Sequence, residues 1–100
     1  MTATLNIVGA GKVGRVLGRL FAQRGVFAVQ DVVNRSLESA QEAVRFIGAG
    51  RACASLAAML PAQVVLLAVS DTQLAPVAAQ LAAHLRPGTV VFHCSGAQPA

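Results

Sequence analysis

Thr4-Leu5-Asn6-Ile7-Val8-Gly9-Ala10-Gly11-Lys12-Val13-Gly14 decides how the chain is read. Thr4 to Val8 is a short β-prone run that ends at a glycine. A helical pattern takes over directly afterwards. Val13, Val16, Leu17, Leu20 and Phe21 recur at i, i+3, i+4, i+7 and i+8, with Arg15 and Arg19 opposite and Gly25 as a stop. G-x-G-x-x-G alone is weak, but between a strand and a helix it has the context that gives it meaning. There Gly9 allows the tight turn. Gly11, lacking Cβ, lets a pyrophosphate approach the backbone. Gly14 lets the helix pack on the strand. Gly18, one turn on, extends the close approach. The free N–H groups and dipole of the helix start then favour phosphate, with Lys12 and Val13 in the same turn. The plain structural alternative is a glycine-rich turn that binds nothing.

Working outward, Phe27 to Asn34 reads as a second strand. Ser36 is placed as N-cap of a helix whose stripe is Leu37, Ala40, Val44 and Ile47, closed by Gly48 and Gly50. Arg51 to Ala54 reads as a short edge strand and Ser55 to Leu60 as one helical turn before Pro61. Gln63 to Val69 is a continuous apolar run, suited to a parallel strand covered on both faces. Leu74, Val77, Ala78, Leu81 and Leu85 mark a helix, with Pro76 expected in its first turn. Thr89 to His93 is the last strand. This alternation predicts an α/β, doubly wound parallel sheet of about five strands with helices on both faces. Residues 1–100 read as one such domain, and a sixth strand would complete it, so the chain is expected to be the N-terminal part of a longer protein.

Composition narrows the functions. The 100 residues are 55% hydrophobic and 12% charged, which excludes intrinsic disorder. Four Phe with no Trp or Tyr leave little for base stacking, so nucleic acid is not an expected partner. Eight basic against four acidic residues give +4, read as a solvated basic surface that also attracts a small polyanion. Cys53 and Cys94, far apart among apolar residues, read as inert thiols of a reducing cytosol rather than a disulfide or metal site. Signal-peptide and membrane-spanning patterns are not found in the sequence, so a cytoplasmic location is expected.

The end of the second strand bears on cofactor choice. NAD-preferring domains place an acidic residue there, about 20 positions after the glycines, for the ribose hydroxyls. Asp31 has that spacing, but Val32 and Val33 continue the strand past it. Asp31 is therefore read as solvated or locally paired. The strand ends at Asn34-Arg35-Ser36, where Arg35 can pair with a 2′-phosphate and Ser36 can donate from the helix start. This favours NADP over NAD. Ligands of such sheets lie outside the carboxyl ends of the strands. Val69-Ser70-Asp71 and His93-Cys94-Ser95-Gly96 are thus expected on the nicotinamide side. Ser70 and Ser95 are candidates for ribose, phosphate or substrate contacts, and Ser70-Asp71 reads equally as a helix cap. His93 is a cofactor-side contact to which no catalytic role is assigned, and His84 a helix C-terminal residue.

Leu5 to Gly14, Asn34-Arg35-Ser36, Leu67-Ala68-Val69-Ser70-Asp71 and His93-Cys94-Ser95-Gly96-Ala97, in this order and spacing, carry a resemblance. The chain resembles the N-terminal half of two-domain Rossmann-like oxidoreductases whose C-terminal helical domain has no assigned function. It is similar, more distantly, to pyrroline-5-carboxylate reductase, 6-phosphogluconate dehydrogenase and the deazaflavin-dependent NADP reductases. Relatives often have Pro-Asp where this chain has Ser70-Asp71, and Asp where it has Gln63. The resemblance implies an NADP(H)-dependent oxidoreductase of unknown substrate, with catalytic groups and homodimer contacts mainly in a C-terminal domain. The alternative is a non-catalytic dinucleotide-sensing module.

Overall fold

The structure is a computed structural model that describes residues 2–9, 12–69 and 71–93. Five strands form one parallel sheet: β1 (Ala3–Val8), β2 (Phe27–Val33), β3 (Arg51–Cys53), β4 (Val64–Leu67) and β5 (Val90–His93). Their order is β3-β2-β1-β4-β5, so the chain starts in the middle, winds to one edge, then crosses to the other. Helices α1 (Lys12–Arg24) and α2 (Leu37–Ile47) make the first crossovers, and α3 (Asp71–Ala82) the last. Between β3 and β4 the crossover carries only a 3₁₀ turn, Leu56–Ala58. The predicted fold and element order are observed.

The α1/α2 face is apolar. Leu5, Ile7, Val32, Val64 and Leu66 of the sheet meet Ala43 and Ile47 of α2. The buried residues of α1 are Gly14 and Gly18. A Cβ on Gly18 would stand 2.8 Å from Ile7 Cδ1 and 2.9 Å from Ile47 Cδ1, so the helix lies as close as its backbone allows. This corrects the expected stripe. With the Gly14–Gly18 line against the sheet, Val16 and Leu20 lie about 200° further round and are exposed, while Leu17 and Phe21 stay against the core. Arg19 faces outward and Arg15 is half-buried with its Nε covered; their guanidinium groups lie 5.2 and 5.8 Å from the Phe46 ring centre.

Helix α2 starts where Ser36 predicts. Ser36 Oγ accepts from Ser39 N at 3.1 Å, and Ser36 N donates to Ser39 Oγ at 3.3 Å. It ends at Gly48, φ +82°, whose N–H donates to the Val44 carbonyl at 2.8 Å. Its buried line is Ala40, Ala43 and Ile47. Leu37, expected in the stripe, is exposed because it is the first residue after the cap and overhangs the sheet's end.

Helix α3 also departs from expectation. It begins at Asp71, so Pro76 falls in the second turn rather than the first. Four residues after β4 the chain must already be helical to reach back across the sheet, and the Pro76 ring is carried on an exposed side. Inward, Leu81 is buried against Val8, Val65 and Leu67.

The second face holds polar groups beside the part that α3 covers. Leu5 pairs with Val29 but Ile7 pairs with Val32, so Gln30 and Asp31 together stand opposite Asn6. Asn6 fills the gap, its Oδ1 accepting from Asp31 N at 3.2 Å and Gln30 Nε2 at 3.1 Å. Asn6 Nδ2 donates to the Leu60 carbonyl at 2.8 Å, and Gln30 Nε2 also donates to the Pro61 carbonyl at 3.1 Å. Asp31 is not solvated. It is 1% exposed, and its carboxylate accepts from Arg51 Nε at 3.0 Å and Leu60 N at 2.7 Å. Arg51, expected on the solvated basic surface, keeps 57% of its side chain exposed while its Nε pairs with the buried Asp31.

Candidate functional site

The carboxyl ends of β1, β2 and β4 open into a cleft of about 930 Å³, within the range of small-molecule and cofactor sites. Val8, Gly9 and Ala68–Val69 form its floor, and Asn34 and Arg35 one end. Ala54 to Ala57 of the crossover form one wall; Gln73, Pro76, Val77 and Gln80 of α3 form the other, with Ala83 and His84 at the far end.

Gly9 has φ +82°, a conformation that L side chains rarely adopt, and its N–H donates to the Val33 carbonyl at 2.8 Å. A Cβ there would run into Val69 Cγ1 and stand 2.9 Å from the Ala68 carbonyl oxygen. A Cβ on Gly14 would lie 3.0 Å from the Gly9 carbonyl oxygen and 3.2 Å from Ala68 Cβ. Two glycines therefore let the first turn of α1 sit on the turn that leaves β1. That turn holds Lys12 and Val13 and no acidic residue, so its positive dipole end is not neutralised from within.

At the end of β2, Asn34 Oδ1 accepts from Arg35 N at 3.0 Å and fixes the exit from the strand. The Arg35 side chain is exposed on the rim and makes no hydrogen bond or ion pair among the described residues. Ser39 Oγ donates to the Ser36 carbonyl at 3.1 Å, and Ser36 Oγ lies 3.0 Å from Ser39 Oγ. Ser36 is thereby first of all a helix cap, beside Arg35 but outside the cleft lining. Nearby, Cys53 is a free, buried thiol whose pKa burial pushes up, which makes it unreactive. Hydrogen bonding to Asp31 raises the Arg51 pKa further, so this guanidinium stays charged.

Of the residues singled out in the sequence, the cleft brings together Gly9, Asn34, Arg35 and Val69, with Lys12, Val13 and Gly14 in the helix turn alongside. Gly11, Ser70 and Ser95 lie outside the described residues. His93 sits apart. It lines a second, apolar hollow of about 400 Å³ with Leu17, Phe21, Phe27, Leu66 and Phe92, on the α1 face. Sequence reasoning missed both walls of the cleft. Ala54 to Ala57 carried no chemical signal, and the α3 residues were legible only as a core stripe. Among the described residues, no helix is long and apolar enough to cross a membrane.

Comparison with known proteins agrees with this geometry. A family described as Rossmann-like domain matches residues 2–100. Among solved structures, a Bacteroides fragilis protein classed as an NADP oxidoreductase superposes with TM-score 0.84 at 22% identity, over 98% of this chain and 38% of its own. Synechocystis arogenate dehydrogenase gives 0.76 at 23%, over 90% of this chain and 32% of its own. A semialdehyde dehydrogenase NAD-binding protein from Cupriavidus necator, in complex with calcium and NAD, gives 0.70 at 33%, over 93% and 33%. The chain thus spans about a third of the length of these structures. No curated protein matches it.

Proposed function

The chain belongs to the Rossmann-like domain family, and from that premise we propose that it is the NADP(H)-binding domain of an oxidoreductase. The observation that carries the reading is Gly9: a left-handed glycine with no room for a Cβ, set at the floor of a cleft beside an α1 start that carries Lys12 and no acid. Such a cradle fits a pyrophosphate. Gly9, Gly11, Lys12, Val13 and Gly14 would hold it. Asn34, Arg35 and Ser36 would hold the adenosine ribose and its 2′-phosphate, with Val69, Ser70 and Ser95 toward the nicotinamide; His93, which lines the separate hollow on the α1 face, stands outside this set. The bound cofactor would supply hydride.

NADP over NAD is supported by two groups. Arg35 is a cation at the end of β2 whose side chain has no partner among the described residues. Asp31, the acid with the spacing of a ribose ligand, is buried beneath the crossover with both carboxylate oxygens engaged. The greater length of the similar structures supports placing the substrate, the catalytic groups and any homodimer contacts on further parts of a cytoplasmic enzyme. The test is titration of NADPH and NADH against wild type and Arg35→Ala. NADPH should bind more tightly, and Arg35→Ala should remove about tenfold or more of that affinity while leaving NADH unchanged. NADH binding as well as NADPH would overturn the 2′-phosphate reading.

A further inference from the structure

One wall of the cleft is made by a segment with almost no structure of its own. Between β3 and β4 the chain makes a single 3₁₀ turn, Leu56–Ala58, with no buried residue in it. Ser55, Leu56 and Ala57 nevertheless face the cleft. Leu56 and Met59 are only partly buried, against the cluster of Val8, Val65, Leu67 and Leu81, so apolar burial holds this wall only in part.

The directional part of the hold is the ion pair of Asp31 and Arg51. Asp31 is 1% exposed, and its two oxygens are divided between Arg51 Nε at 3.0 Å and Leu60 N at 2.7 Å. The same guanidinium donates from Nη2 to the Ala58 carbonyl at 3.3 Å. One carboxylate thus grips the crossover at two points on either side of Met59, once directly and once through Arg51. Asn6 holds the Leu60 carbonyl from below. None of Asn6, Asp31 and Arg51 lines the cleft.

We propose that Asp31 is a positioning residue for the cleft: acting through Arg51 and the Leu60 amide, it holds the 3₁₀ wall against which the adenosine half of a dinucleotide rests. The assignment of ligand rests on the dinucleotide reading above; the hold on the wall does not. Its geometry also gives a functional account of an acid that the chain keeps at the spacing of a ribose ligand but buries. Asp31 serves the same half of the ligand from behind the wall, without touching it.

The test uses the whole chain with Arg51→Met, Arg51→Lys and Asp31→Asn. Loss of Arg51 leaves the buried Asp31 carboxylate with only the Leu60 N–H. Far-ultraviolet circular dichroism therefore first establishes that each variant is folded, and Asp31→Asn, which removes the buried charge itself, is the control should Arg51→Met unfold. Two readouts are needed: amide hydrogen exchange over residues 55–60, and affinities for adenosine 2′,5′-bisphosphate and for nicotinamide mononucleotide. In Arg51→Met the wall amides should exchange faster and the adenosine ligand should bind about fivefold more weakly. Nicotinamide mononucleotide should bind as in wild type. Arg51→Lys should recover part of both losses, and Asp31→Asn should resemble Arg51→Met. Unchanged exchange and adenosine affinity in folded Arg51→Met would overturn the proposal, as would an equal loss for both ligands, which means general loosening. If wild type binds neither ligand, the dinucleotide reading fails by itself. Exchange then decides alone: faster exchange in Arg51→Met upholds the hold on the wall, and unchanged exchange refutes it.

Discussion

The two faces of the sheet are covered by different means. On the α1/α2 side, two full helices lie on Leu5, Ile7, Val32 and Leu66, and Gly18 brings α1 down until a single Cβ would not fit. That face is apolar throughout, including the hollow beside Phe92. On the other side α3 covers only part of the sheet, and the β3–β4 crossover is tied over the rest by Asn6, Gln30, Asp31 and Arg51. That face keeps a cleft. Apolar packing is non-directional and closes whatever space it finds. Hydrogen bonds are directional, so they can suspend a short segment at a set height and leave a space beside it.

Substitutions can break this contrast. The largest effect is expected on the apolar face. Ile7→Ala removes a fully buried side chain under a helix that Gly18 already holds at closest approach, so the cavity cannot refill. Urea unfolding should show a loss of about 3–5 kcal/mol. Asn6→Ala tests the tied face. It strips partners from Asp31 N and the Leu60 carbonyl, at about 1–3 kcal/mol, and should also speed exchange in the crossover, which Ile7→Ala should do only in step with global unfolding. Arg35→Ala, on the exposed rim, should leave unfolding unchanged while NADPH affinity falls about tenfold. The smallest effect belongs to Phe46→Ala. Half-exposed between Arg15 and Arg19, the ring should contribute about 1 kcal/mol, measured by the same unfolding curves.

The same contrast explains what the sequence discloses. Strands, helices and the glycine turn were legible because each writes its own period or punctuation: the Val64–Leu67 run, the Ser36 cap, the Gly48 stop. Local pattern failed where a neighbour intervened. Val16 and Leu20 satisfy a helical stripe, yet Gly14 and Gly18 rotate the helix away from them, since absence of a side chain is the stronger packing signal here. Asp31 illustrates the limit for the site. Its spacing suggests a ribose ligand, and only the pairing of β2 with β3 brings Arg51 to its side. The cleft walls were illegible for a related reason. Ala54 to Ala57 contribute shape, and shape has no residue code.

The strand order has a consequence for synthesis on the ribosome. β1 is made first but lies in the middle of the sheet, between β2 and β4. Its partner on one side follows after one helix, and α1 and α2 can close over both. Its other edge must wait until Leu67 has emerged. At cellular elongation rates that wait lasts roughly 2–7 s after Val33 is made. During it the nascent half-sheet presents an open edge to solvent and to other chains. Asn6 and Asp31 lie on the face still uncovered at that stage. Their polar groups keep it hydrated until the crossover arrives to take over the same hydrogen bonds.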